Sequence, residues 1–403
     1  MRIGLLVVLA ACEADTDETG ETRSESLVPT DVAAAASPFL DLRVGTQGEP
    51  CVADFDNDGD ADLVVPAHNR AEWPILRNEG NGTYSHWFTL PIADRHGCDA
   101  ADVNRDGLLD FYAVIGARQG TSDVAGLDEL WLQRADGSGF DNAIRGSGAE
   151  DGAGRGREVL FLDSNGDARP DLFVGNEIGV DFPSPSRHYL GGEGGDGGFV
   201  EDPDSGLNAE LGASCTSRGD IDHDGLEELL LCGSEKILLY RQALLGVYSD
   251  EAGPRGLGEI AFRDAELADV NGDGWLDLVG VTAKYLTVSL SQGGVFPEWS
   301  YDLRLEHGRD VAVGDANGDG FADIFLVEGM SGDLDRPDSL LLGDGTGALF
   351  RRMHLPDDAN EGDGDTVTRL PNWKETGRDA FLATNGKWPY EGWYRLWEFV
   401  DAE

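Results

Sequence analysis

DFDNDGDADLVV, residues 54–65, places acidic side chains at positions 1, 3, 5 and 9 of a nine-residue unit and then runs directly into apolar sequence. Five further copies follow: DVNRDGLLD from Asp102, DSNGDARPD from Asp163, DIDHDGLEE from Asp220, DVNGDGWLD from Asp269 and DANGDGFAD from Asp315. Their starts lie 48, 61, 57, 49 and 46 residues apart. A recurrence on that scale, with an apolar run on each side of every copy, reads as a repeated four-stranded unit arranged in a ring.

The spacing suits calcium, a hard cation that takes six to eight oxygens and is well served by a tight loop presenting side chains 1, 3 and 5 to one centre. Position 7 would add a backbone carbonyl, and a carboxylate at position 9 would close the shell. The candidate ligands are therefore Asp54, Asp56, Asp58, Asp60 and Asp62; Asp102, Asn104, Asp106, Leu108 and Asp110; Asp163, Asn165, Asp167, Arg169 and Asp171. In the second half they are Asp220, Asp222, Asp224, Leu226 and Glu228; Asp269, Asn271, Asp273, Trp275 and Asp277; Asp315, Asn317, Asp319, Phe321 and Asp323. Glycine at position 6 permits the positive φ of the reversal. The third copy has Ala168 there, which predicts a slightly strained turn or a weaker site.

An EF-hand shares the first six positions but needs a bidentate Glu at position 12 and flanking helices. Position 12 here is Val65, Ala113, Val174, Leu231, Gly280 or Leu326, none of which binds calcium, and an apolar strand-like run begins right after position 9. A single acidic loop is often only a solvated Asx-turn. Six copies in register argue for a cation in each.

These loops, with RGREVLFLDSNGDARPDLFVGNE (155–177) and GGEGGDGGFVED (191–202), resemble the FG-GAP or VCBS repeats of integrin-α-like β-propellers, in particular the branch that includes cartilage acidic protein. The resemblance runs over nearly the whole chain from residue 37. It implies an all-β, seven-bladed propeller with calcium in the loop joining the first and second strands of each blade, and says little about partners.

Six blades follow from the six loops. A seventh starts near Thr366, where Pro371 and Trp373 replace the first acidic ligands, so no calcium is expected there. This blade runs out after its third strand, GWYRLWEFV. The missing strand is predicted from the N-terminus: SPFLDLRVGTQGEPCVAD parallels WSYDLRLEHGRDVAVGD, so Phe39 to Val44 should pair antiparallel with Tyr394 to Phe399 and close the ring.

The net charge of −47 and pI near 4.2 exclude nonspecific binding to nucleic acid or anionic lipid, and six calcium ions would raise the charge only to −35. Arg2, the apolar run Ile3 to Leu9 and the lipobox Leu9-Ala10-Ala11-Cys12 predict a bacterial lipoprotein signal over 1–11, lipidation at Cys12 and a polar tether over 12–36. Attachment to the cell envelope would be through lipid alone, with the propeller over 37–403 monomeric outside. Export permits disulfides. Cys215 and Cys232 flank the fourth loop at matching distances and should be bridged. For Cys51 and Cys98, on innermost strands of adjacent blades, the sequence leaves bridging open because their offsets from the loops differ by one.

No nucleophile elbow, phosphate loop or metal-spaced histidines occur, and calcium-engaged carboxylates make poor general acids. The reading is a calcium-stabilised recognition or adhesion module for a protein or glycan, and not an enzyme. The alternatives are a polysaccharide lyase or hydrolase, whose mark would be His, Tyr, Arg or Lys converging on the central channel, and a structural spacer. Two regions compete as the partner site. One is the set of irregular segments Ile115 to Glu129, Asp141 to Glu158 and Gly175 to Arg187. The other is the aromatic group Trp388, Tyr390, Trp393, Tyr394 and Trp397.

Overall fold

The computed structural model describes residues 27–402 apart from 41–47, 66–72, 117–126, 153, 178–184, 194–196, 208–211, 234, 259, 298, 330–336, 357–362 and 388–390. Seven four-stranded antiparallel sheets follow one another along the chain, making a seven-bladed β-propeller. Blade 1 comprises Cys51–Ala53, Asp62–Val64, Trp73–Asn78 and Tyr84–Leu90, from the inside outwards. Blade 2 comprises Arg95–Ala101, Asp110–Ile115, Glu129–Gln133 and Phe140–Asn142; blade 3, Gly156–Leu162, Asp171–Asn176, Arg187–Gly191 and Phe199–Glu201. Blade 4 is built of Thr216–Gly219, Glu228–Cys232, Ile237–Leu244 and Val247–Asp250, and blade 5 of Asp264–Ala268, Asp277–Val281, Tyr285–Ser289 and Trp299–Arg304. Blade 6 contains Gly308–Gly314, Asp323–Glu328, Ser339–Gly343 and Phe350–His354.

The second strand of each of the first six blades is buried along both faces, as its continuous apolar sequence requires. Among the described residues the apolar core divides into seven clusters, one between each pair of neighbouring blades, including the pair 7 and 1. Phe55, Phe111 and Phe140 meet edge to face between blades 1 and 2, at centroid separations of 5.3–6.0 Å. Polar latches tie the innermost strands together. Asp99 Oδ2 accepts from Phe161 N (2.7 Å), Asp264 Oδ2 from Val311 N (3.0 Å) and Glu266 Oε2 from Val313 N (2.8 Å).

Blade 7 contains Asp363–Leu370, Ala380–Lys387 and Glu391–Asp401, and its fourth strand is N-terminal, although not the predicted one. Leu27–Asp31 pairs antiparallel with Trp397–Asp401, from Leu27 opposite Asp401 to Asp31 opposite Trp397. Phe39 and Leu40 instead lie in a turn, and 41–44 lie outside the described residues. The segment expected as tether is therefore structured from Leu27 onward, while 1–26, with Cys12, lie outside the described residues. The reason is steric. Ala33–Ala36 forms one helical turn whose Ala33 and Ala36 are small enough to sink between blades 7 and 1, which delivers Leu40, fully buried, into the same seam.

Cys51 and Cys98 are disulfide-bonded across blades 1 and 2 with Cα atoms 5.4 Å apart, and Cys215 and Cys232 within blade 4 at 4.9 Å. Among the described residues no helix is long and apolar enough to cross a membrane.

Candidate metal centres

Every loop sits between the innermost and second strands of its blade, and its position 9 is the first residue of the second strand. The six loops share one frame. The position-1 carboxylate accepts from the amides of positions 5 and 6, as Asp54 does from Asp58 and Gly59 (3.0 Å each) and Asp315 from Asp319 (3.2 Å) and Gly320 (2.8 Å). The equivalent bonds recur on Asp102, Asp163, Asp220 and Asp269. The position-5 carboxylates Asp58, Asp106, Asp167, Asp224, Asp273 and Asp319 each accept the amide of position 7 at 2.9–3.0 Å. Two residues per loop take positive φ. One is position 6, with Ala168 at 61° where the other copies have glycine; the other is position 4, which is Asn57, Arg105 and His223 in loops 1, 2 and 4 and glycine in the remaining three. Ala168 thus adopts the left-handed turn at a cost of ~1 kcal/mol.

Position 9 is fully buried in all six loops: Asp62, Asp110, Asp171, Glu228, Asp277 and Asp323. Each accepts the amide of position 2, at 2.9–3.2 Å. The five aspartates also accept an amide from the third strand, Asn78, Gln133, Gly191, Ser291 or Gly343, at 2.7–2.9 Å. The sequence did not reveal this second duty, by which one side chain locks loop, second strand and third strand together. Burial pushes Asp62, Asp110, Glu228 and Asp323 up to about 7 and Asp277 to about 6, against the backbone amides that stabilise the anions. A divalent cation would reverse that shift.

The donor set suits a hard cation. Asp54, Asp56 and Asp58 bring carboxylate oxygens within 4.8 Å of one another, as do Asp220, Asp222 and Glu228. Asp56 Oδ1, Asp222 Oδ1 and Glu228 Oε1 are buried without a hydrogen-bond partner. In loops 2, 5 and 6 the position-3 amide nitrogen of Asn104, Asn271 or Asn317 donates to the position-5 carboxylate at 2.9–3.1 Å. Calcium would be held by the oxygens of positions 1, 3, 5 and 9 and the carbonyl of position 7, where the side chains of Asp60, Leu108, Arg169, Leu226, Trp275 and Phe321 are not needed.

Three arginines approach these loops from places the motif does not include: Arg77 and Arg241 on third strands, and Arg255 beyond blade 4. His223 stacks on Trp275 of the next loop, with ring centroids 3.9 Å apart. In blade 7 the position-9 carboxylate, Asp379, accepts from Asn372 N (2.9 Å) and Asp315 N (2.9 Å) and pairs with Arg369 (2.7 Å).

Tyr394 and Trp397 are buried in the seams of blade 7 and offer nothing to a partner. Trp388, Tyr390 and the side chain of Trp393 lie outside the described residues, as do 117–126 and 178–184 of the irregular segments. The stretch 141–158 is packed rather than free: Ile144 and Ala149 join the core of blades 2 and 3, and Ala149 O accepts from Tyr112 Oη at 2.7 Å. Two cavities are better candidates. One of about 630 Å³ opens at a mouth of the central channel and is lined by His96, Arg157, Arg263, Glu158, Asp264 and Asp310 among others. Burial, with Glu49 and Asp264 nearby, holds Glu158 well above the usual carboxylate range. The other, about 580 Å³, lies beside loop 6 between Tyr301, Leu342, Leu349, Phe350, Asn317 and Asp319.

The FG-GAP-like repeat family matches residues 48–113, 220–279 and 269–326, stretches that begin at or just before an acidic loop or the strand leading into one. No curated protein matches. Among solved structures, a lectin from Agrocybe aegerita, described by its specific recognition of non-reducing terminal N-acetylglucosamine, is similar at 17% identity with a TM-score of 0.49, over 78% of this chain and 82% of that one.

Proposed function

We propose that this FG-GAP-repeat propeller is a calcium-stabilised recognition module that displays a protein- or glycan-binding surface outside a bacterial cell, tethered to the envelope by lipid on Cys12. The observation that carries the calcium reading is the set of buried oxygens without hydrogen-bond partners, Asp56 Oδ1, Asp222 Oδ1 and Glu228 Oε1, each belonging to a cluster of three carboxylates whose oxygens lie within 4.8 Å of one another. Arg77, Arg241 and Arg255 offset part of this charge, and the oxygens they leave without a hydrogen bond are costly to bury unless a further cation joins them. The cavity beside loop 6 joins an aromatic and aliphatic wall to two candidate calcium ligands, Asn317 and Asp319, so a partner bound there would be lost when calcium is removed. The experiment is metal analysis after dialysis, followed by glycan and protein capture with calcium or EDTA. Close to six ions per chain and capture that EDTA abolishes are expected. Two ions or fewer would overturn the calcium reading, and metal-loaded protein that captures nothing would leave the structural spacer.

A second reading is favoured by the channel mouth, where His96, Arg157 and Arg263 converge with Glu158 and Asp264. That is the arrangement expected of a propeller enzyme acting on polysaccharide. Turnover of a uronate-containing polymer, lost in His96→Ala with calcium content unchanged, would establish it.

A further inference from the structure

The six loops carry different amounts of internal positive charge, and the differences follow a pattern within the chain. Position 3 is Asp in loops 1 and 4, and in both the residue set opposite position 9 by the register of the second and third strands is arginine, Arg77 or Arg241. Position 3 is Asn in the other four loops, and there the same place holds Leu132, Leu190, Leu290 or Leu342. An extra carboxylate is thus accompanied each time by a guanidinium. In loop 4 the contact is close: Arg241 Nε donates to Asp222 Oδ2 at 3.0 Å and its Nη2 to Asp224 Oδ2 at 2.6 Å. The guanidinium bridges positions 3 and 5 much as the asparagine amide does in loops 2, 5 and 6. Arg255 adds a second guanidinium to Asp222 Oδ2 at 2.6 Å. The fully buried Glu228 Oε1 faces this group, 3.9 Å from Arg241 Nε and without a hydrogen bond. In loop 1 Arg77 Nε stays 3.4 Å from Asp56. Loop 3 has its own arginine, Arg169 at position 7, donating to Asp167 and to Gly191 O.

Resting on the reading of the loops as calcium sites, we propose that Arg241 with Arg255 in blade 4, and Arg169 in blade 3, are built-in counter-charges that compete with the cation, so that these two neighbouring blades hold the weak calcium sites of the ring. Counting the carboxylates at positions 1, 3, 5 and 9 and only the guanidiniums in contact with them, loops 1, 2, 5 and 6 each keep a surplus of three negative charges, the Arg105 of loop 2 being exposed on its rim. Loop 3 sets three carboxylates against one guanidinium and loop 4 sets four against two, leaving a surplus of two. Calcium entering either must share Asp167, Asp222 or Asp224 with an arginine already paired with it. Conversely, blades 3 and 4 keep their loops partly neutralised when calcium is absent. Even in a water-like dielectric, one unit charge about 6 Å from a divalent ion changes its affinity about tenfold.

The test uses substitutions drawn from the chain's own repeats. Leucine occupies the place of Arg169 in loops 2 and 4 and that of Arg241 in four blades. Calcium titration of the decalcified full chain by calorimetry should show four tight sites and two weaker ones. In Arg169→Leu and Arg241→Leu one weak site should tighten about tenfold each, and their melting temperature in EDTA should fall below that of the wild type. A purely structural arginine would give weaker or unchanged calcium binding on removal, and that result overturns the proposal, as do six equivalent sites in the wild type. Arg169→Leu lies on a solvent-facing loop and tests the idea independently if Arg241→Leu fails to fold. A wild type that binds no calcium at millimolar concentration overturns the loop reading itself.

Discussion

Leu40→Ala tests whether the N-terminal segment is part of the ring. Leu40 is fully buried between blades 7 and 1 beside Leu63, Leu76, Leu382 and Leu396. Truncation there removes about three methylenes and leaves a cavity in a seam made of two rigid sheets, so the loss should lie near the middle of the usual 2–5 kcal/mol, about 3 kcal/mol. Upstream, Asp31 accepts from Leu396 N (3.1 Å) and Ala33 N (3.0 Å) and pairs with Arg395 (2.7 Å). Asp31→Ala orphans those half-buried donors and should cost ~2 kcal/mol. Because both residues act through one docked segment, their combined effect has a ceiling. Once the segment peels away, the rest of the ring no longer senses either change. The double variant should therefore be no less stable than a chain lacking residues 1–40, whereas one lacking 1–26 should match the wild type. Urea unfolding in millimolar calcium, followed by tryptophan fluorescence, measures all five, with Leu244→Ala on the exposed surface as a control expected within ~0.5 kcal/mol of wild type. If Leu40→Ala behaves like that control, or the two truncations are equally stable, the ring is held without this segment and the reasoning fails.

Glu266 faces the central channel, where burial together with nearby Asp264 pushes it up to about 8, against the Val313 amide and Arg369. A raised folded-state value means that its contribution to stability is complete below the unfolded value near 4.5 and is lost as pH rises through 8. Glu266→Gln keeps an acceptor for Val313 N and should become progressively more stable than wild type between pH 4.5 and 8; parallel curves would refute this. Asp62→Asn leaves one of two amides, Phe55 or Asn78, without its acceptor and should cost about 1–3 kcal/mol in EDTA and more in calcium, where the lost ligand also weakens the site, while Asp60→Asn, whose side chain is not needed as a ligand, should change calcium content little. Equal behaviour of these two variants in calcium analysis would contradict the loop geometry. Replacing Cys51 and Cys98 by serine opens a loop of 47 residues and should lower stability by up to about 4 kcal/mol, the Cys215 and Cys232 pair, 17 residues apart, by up to about 3 kcal/mol; the reverse order in denaturant midpoint would show that chain entropy does not govern these bridges.

The repeat alone determined the class of fold, because an acidic turn followed by an apolar run is a local signal that recurs at the size of one four-stranded sheet. It also placed the strand boundaries at Asp62, Asp110, Asp171, Glu228, Asp277 and Asp323, since a carboxylate ending a tight loop must precede the strand it anchors. What it did not determine are the relations between distant segments. The choice of Leu27–Asp31 over Phe39 to Val44 as the outer strand of blade 7 depends on small alanines fitting a seam that exists only once blades 7 and 1 have met. The Cys51 and Cys98 pairing depends on how two neighbouring sheets face each other, which a one-residue offset leaves open. The guanidiniums of Arg77, Arg241 and Arg255 reach their loops across strands 19 to 33 residues away, and the second duty of position 9 as an acceptor for the third strand is likewise made across the sheet. Local spacing writes the acidic positions and the turn. Electrostatic balance and closure arise from side chains that only the folded ring brings together.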